Sequence, residues 1–214
     1  MDAPNRRTRW VWVAAAVVVV AVIAVIVMVT RQDRRTSEPA SVSIDNPPAT
    51  TAVGAESPPP WPPPSDATAA AGKAGLPMLS SEGMVEHIHV HLDVLVDGKP
   101  VPVPANIGID TARRAISPLH THDDSGVIHV ESPVKRAFSL GEFFTEWGVS
   151  LSSDNIGGLR AVDGNVVRAY VNGQPRTGNP AAITFAQHDE IALVYGQPQP
   201  GEKVPTAYDF PPGD

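Results

Sequence analysis

From Met84 to Val96 the chain alternates apolar and polar residues, and that pattern constrains the fold more than any other stretch. Side chains on a strand point to opposite faces with period two. Ile88, Val90, Leu92, Val94 and Val96 therefore share one face, and His87, His89, His91 and Asp93 share the other. The first face demands a core, while the second carries three imidazoles. His120 and His122 follow in P-L-H-T-H-D-D and His129 in G-V-I-H-V-E, so six of the seven histidines of the chain fall between positions 87 and 129. Gly126 to Glu131 alternates again, with Ile128 and Val130 on the apolar face and Val127, His129 and Glu131 opposite.

Turn and cap residues place the neighbouring elements. Asp97-Gly98 reads as a hairpin turn, with Lys99 to Ala105 returning as an edge strand blocked by Pro100, Pro102 and Pro104. After a loop through Asn106 to Pro118 and the second alternating segment, Ser139 and Glu142 form a capping box. They open a helix that carries Leu140, Phe143, Phe144 and Trp147 and stops at Gly148. This aromatic stripe reads as core packing against a sheet. Further strands are expected at Gly158–Val162, Val166–Val171 and Glu190–Tyr195. A hairpin, a helix and then more strands predict an α+β class, a compact mostly-β domain over residues 78–196 with one main helix. The Pro-rich tail, 197–214, is expected to lie over the domain as an extended arm or to hang free.

Residues 10–30 contain a twenty-residue run without charge, Trp10 to Val29. As a helix it spans about 30 Å, the thickness of bilayer hydrocarbon. Trp10 and Trp12 suit an interface, and three arginines flank each end, so the local positive charge ties. The run is too long for a signal-peptide core and no small-x-small cleavage site follows it. The expectation is an uncleaved signal-anchor: a short cytoplasmic N-terminus (1–9), a single-pass membrane helix, and a C-terminal domain outside the cytoplasm. Residues 31–77 are rich in Pro, Ala and Ser, with Pro58–Pro60 and Pro62–Pro64 around Trp61, and predict an extended, disordered linker. With no cysteine, disulfides, thiolate metal sites and cysteine nucleophiles are absent. From Leu76 onward nine Lys/Arg stand against seventeen Asp/Glu, and so acidic a domain disfavours nucleic acid as a partner.

The run P-L-H-T-H-D-D-S-G-V-I-H-V-E-S-P, followed by F-S-L-G-E-F-F-T-E-W-G after an H-x-H-x-H-L strand, resembles a family of uncharacterised membrane-anchored prokaryotic proteins. That resemblance implies an anchored domain and carries over no catalytic residue. The C-terminal strands, V-R-A-Y-V-N-G and H-D-E-I-A-L-V-Y-G, resemble those of β-grasp proteins of the sulfur-carrier type. The likeness implies a β-grasp-like roll and no thiocarboxylate chemistry, because the Gly-Gly terminus of those carriers is replaced by Pro-Pro-Gly-Asp.

The histidines point to a divalent transition metal, zinc or copper foremost. Alternate residues on a strand lie about 7 Å apart, so an H-x-H pair can share an ion, whereas His87 and His91, about 13 Å apart, cannot easily do so. Candidate ligands are His87, His89, His91, His120, His122 and His129, and the expected tripod joins two strand histidines to one from elsewhere, His129 if its strand is a neighbour. Asp93, Asp123, Glu131 and also Glu86 are candidates to bind through oxygen or to orient a ring. Metal sensing, storage or delivery is the function expected. Two alternatives stand beside it. One is a metal-dependent hydrolase or lyase on the same histidines. The other is a metal-free adaptor for an envelope protein, its histidines forming a structural network with Asp123, Asp124 and Ser125 capping the loop. H-I-H on a strand resembles the ligands of α-type carbonic anhydrases and cupins, but the domain is too short for the first and lacks the motif spacing of the second. No phosphate loop, G-x-S-x-G elbow or helical H-E-x-x-H is present.

Overall fold

The computed structural model describes residues 44–213. The expected membrane helix at 10–30, the segment before it and the first part of the linker lie outside the described residues. Among the described residues no helix is long and apolar enough to cross a membrane.

The spine of the domain is β1 (Glu86–Val96), the strand anticipated from its alternation. Asp97 and Gly98 both take positive φ, 51° and 74°, the conformation of a two-residue hairpin turn, and return the chain as the short β2 (Lys99–Val101). Beyond it, β3 (Ile109–Asp110) and β4 (Ala115–Ile116) make a small hairpin of their own. β5 (Leu119–His120) and β6 (Val127–Ser132) then join the main sheet.

On one side of β1, β6 pairs antiparallel with its N-terminal half and β2 with its C-terminal half. On the other side β12 (Glu190–Gly196) runs parallel to it from His91 onward. β10 (Val166–Val171) and β11 (Gln174–Arg176) continue the sheet antiparallel beyond β12. The strand expected at Gly158–Val162 is the last of a three-stranded meander, β7 (Leu151–Ser152), β8 (Asn155–Ile156) and β9 (Leu159–Arg160), whose first two strands went unread in the sequence, as did the Asn172-Gly173 turn that makes a second hairpin. Among the described residues the class is mixed α+β, mostly strand, with two α-helices.

The core forms on the apolar face of β1. Val90, Leu92, Val94, Ile128 and Val130 enter one buried cluster with Leu140, Phe143, Phe144 and Trp147 of the main helix, Leu140–Trp147. Its boundaries are those the cap residues specify. Ser139 Oγ accepts from the Glu142 N–H, the Glu142 carboxylate accepts from the Ser139 N–H, and Gly148 closes the helix at φ 81°.

Every residue of that helix is buried, its carboxylates included, because a further layer lies over it. That layer comes from the stretch expected to be disordered linker, and residues 44–77 must be reassigned to the folded domain. Trp61 is 3% exposed and sits edge-on to Trp147, ring centroids 5.8 Å apart. The Trp147 indole N–H donates to the Trp61 carbonyl, and Ala52 and Ala55 bridge to Leu151 and Val149. Asp66 caps a seven-residue helix, Ala67–Lys73, whose Ala71 reaches the core together with Leu76. Numbered in chain order, this helix is α1 and the main helix is α2. Proline removes backbone donors but leaves an extended segment free to pack through side chains, and one tryptophan supplies enough apolar surface to hold it.

Candidate metal centre

Strand register assembles the histidine face. In the β1–β6 pair His89 lies opposite His129 and His87 opposite Glu131; in the β5–β6 pair His120 lies opposite His129. Opposed residues on one face bring their Cβ atoms to about 5 Å. His89, His129 and His120 therefore form a row across three strands, with His87 and Glu131 as the adjoining row. Ring centroids are 4.5 Å apart for His89–His129 and 5.3 Å for His120–His129, the latter nearly parallel. His122, two residues past His120, folds back to 4.8 Å from His120 and 4.6 Å from His129. His87 stands 4.9 Å from His89. Of the β1 histidines expected to converge with His129, His87 and His89 do and His91 does not, and His120 reaches the cluster from a strand of its own.

The interior of the cluster is dry and its rim is wet. His120 is fully buried and His89 nearly so, while the side chains of His87 and His122 are 43% and 45% exposed. His120 Nδ1 lies 2.9 Å from the Ser117 carbonyl, which can only accept, so Nδ1 carries the proton. Burial pushes the His120 pKa down to about 4, outweighing the nearby Glu131 charge. The ring is neutral at pH 7, and its Nε2 lone pair points 3.2 Å from His122 Nε2. Two nitrogens bound tetrahedrally to one zinc at roughly 2.0–2.1 Å stand about 3.4 Å apart, so this pair is already at the spacing of a chelate.

Glu131 sits at the centre. Its Oε1 lies 3.4 Å from His87 Nε2 and 3.5 Å from His129 Nδ1, and its Oε2 lies 4.0 Å from His120 Nε2. Burial alone would raise this carboxyl, but His129, its Nδ1 3.5 Å away, and the other surrounding imidazoles hold it below the usual range. Buried Oε2 has no hydrogen-bond partner among the described residues. It faces the lone pair of His120, an acceptor opposite an acceptor, which is the arrangement a cation would satisfy.

His91 is on the same face but takes other partners. Its Nδ1 lies 2.7 Å from Glu190 Oε2, its Nε2 2.8 Å from the Ser125 carbonyl, and its ring stacks on Tyr208 at 3.9 Å. Burial would lower its pKa, yet Glu190, Ser125 and Asp93 together raise it, and with an acceptor at each nitrogen the ring is stabilised as imidazolium. Asp93 is 3.9 Å away. Gly126, at φ 91°, lets the loop come this close: a Cβ there would meet the Leu92 carbonyl at 2.8 Å and His91 Nε2 at 3.0 Å. Asp123 and Asp124 cap loop N–H groups, those of Ser125 and Ala105, and Asp123 is also near enough to His122 and His129 to feel their charge.

Among the described residues, four sets each have their donor atoms within 4.8 Å of one another: His120, His122 and His129; His87, His89 and Glu131; Glu82, His120 and Glu131; and His91, Asp93 and Glu190. Glu82 and Glu190 are the members sequence reasoning missed, and it also missed Tyr208, which stacks on His91. Glu190 opens a strand 99 positions from His91 and Tyr208 lies in the tail, and neither carries a local signal that ties it to a histidine. No protein-family model matches the chain, and no curated protein or solved structure is similar enough to count as a match.

Proposed function

We propose that the domain binds a borderline divalent transition metal, zinc or copper, on the histidine face of β1, β5 and β6, for sensing, storage or delivery. The observation that carries the reading is the dry row His89–His129–His120 with Glu131 beside it, four metal-type donors brought together from three strands. Imidazole and carboxylate without thiolate suit Zn(II) and Cu(II), and the acidic surface raises the local cation concentration. The exposed His87 and His122 leave the site open at its rim, which suits an ion that exchanges more than one that only staples the fold. The same opening suits the hydrolase or lyase alternative, which requires turnover that depends on the bound ion.

The order β2-β1-β12-β10-β11, with a parallel central pair and α2 in the chain between the early strands and β10, supports reading the core as a β-grasp roll to which β6 and β5 are added beside β1. The apolar run at 10–30 supports a single-pass anchor with the domain outside the cytoplasm, where exchangeable metal and envelope partners would be met. A reporter fused after Asp214 that is active only in the cytoplasm would overturn that orientation.

The decisive test is metal content. Full-length protein is purified in detergent without a polyhistidine tag, stripped with chelator, reloaded with Zn(II) or Cu(II) and dialysed. Stoichiometric metal and a raised melting temperature are expected, both abolished by the double substitution His89→Ala, His129→Ala. No retained metal and no thermal shift in the wild type would refute the reading.

A further inference from the structure

We infer that the histidine face is built for two ions side by side, with Glu131 as the carboxylate bridge; this rests on the metal reading above. One ion would be held by His87, His89 and Glu131 Oε1, the other by His120, His122, His129 and Glu131 Oε2.

The donors divide this way in space. His87, His89 and Glu131 form one set within 4.8 Å, and His120, His122 and His129 form another. Glu131 is common ground, because it also falls in a set with His120 and Glu82. Its Oε1 looks to His87 at 3.4 Å and to His129 Nδ1 at 3.5 Å, and its Oε2 to His120 at 4.0 Å, so the carboxylate touches histidines of both sets. Oε2 is the buried oxygen left without a donor among the described residues, so a second cation on the His120 side would complete it.

Each half has a pair at the bite of a single ion. The His120–His122 nitrogens are 3.2 Å apart and His87 Nε2 is 3.4 Å from Glu131 Oε1, against about 3.4 Å for two tetrahedral ligands. Five imidazoles and a carboxylate are also more than one tetrahedral ion can use, since it fills with four. Shared between two ions, the same donors give three imidazole or carboxylate ligands to one and four to the other, with an open position on the exposed side of His87. Ions joined by a carboxylate sit about 3.5–4 Å apart, and the anionic bridge offsets their repulsion. The ligand class is a first-row divalent ion that accepts imidazole, Zn(II), Co(II) or Cu(II).

The test counts ions and asks whether they touch. Full-length, tag-free protein in detergent is stripped, loaded with Cu(II), dialysed and measured for copper by mass spectrometry and for unpaired spins by electron paramagnetic resonance. The expected result is two ions per chain with a spin count well below the copper count, because bridged Cu(II) ions couple. His87→Ala, at an exposed position that leaves the core intact, should retain one ion with its full spin. Glu131→Gln should weaken the second ion by at least about tenfold and restore the missing spins. One ion in the wild type overturns the pairing and leaves the metal reading standing, whereas none overturns both. Two ions with a full spin count overturn the bridge.

Discussion

His120→Asn tests the centre where it is most buried. Asn keeps a donor close to where Nδ1 meets the Ser117 carbonyl, but it has no Nε2 ligand and does not titrate. In the folded protein the His120 pKa is about 4, against 6.5 for the free side chain. Above pH 6.5 the ring is neutral in both states and contributes no slope. Between 6.5 and 4 the unfolded chain takes up a proton that the folded chain refuses, so stability falls as pH falls. At 1.36 kcal/mol per unit over about 2.5 units, the loss reaches on the order of 3 kcal/mol near pH 4 and then levels off. The variant loses volume, a cost that is the same at every pH. Urea unfolding of chelated wild type and variant from pH 7.5 to 4 should therefore give curves that converge by about 3 kcal/mol as pH drops. Zinc should add roughly 3 kcal/mol to the wild type at a hundred times its Kd and far less to the variant. Parallel stability curves, or equal protection by zinc, would refute the reasoning.

Other residues give independent outcomes. Glu146 is completely buried beside Ser117, and burial pushes its carboxyl well above the usual range, outweighing that contact. Its folded pKa lies above that of the unfolded chain, which ionises from about pH 4.3, so it costs stability as pH rises. Glu146→Gln should be more stable than wild type at pH 8 and equal to it near pH 4, read by urea midpoints; a less stable variant at pH 8 contradicts this. Trp61→Ala should cost about 3–5 kcal/mol, and a chain started at Met78, which lacks Trp61 and α1, should show no cooperative melting where one started at residue 44 does. Ser139→Ala removes one half of the capping box and should cost about 1 kcal/mol in denaturant unfolding, against no change if the cap were idle.

What the sequence by itself determined is what depends on neighbours along the chain. The period of two assigned Ile88, Val90 and Leu92 to the core and His87, His89 and His91 to the opposite face, because alternation is a property of the extended backbone. Ser139, Glu142 and Gly148 bounded α2 for the same local reason. The packing of 44–77 was hidden because a proline run looks alike whether it is solvated or laid on a tryptophan, although Asp66 before an alanine-rich segment was a legible helix start. Tertiary structure alone decided which histidines meet. Register set His129 between His89 and His120 and put Glu131 beside His87. The parallel pairing of β1 with β12, between segments a hundred positions apart, gave His91 to Glu190 instead. A one-residue slip in either pairing would turn a partner strand's donors to the core face, so the site exists only because the buried apolar face fixes the register.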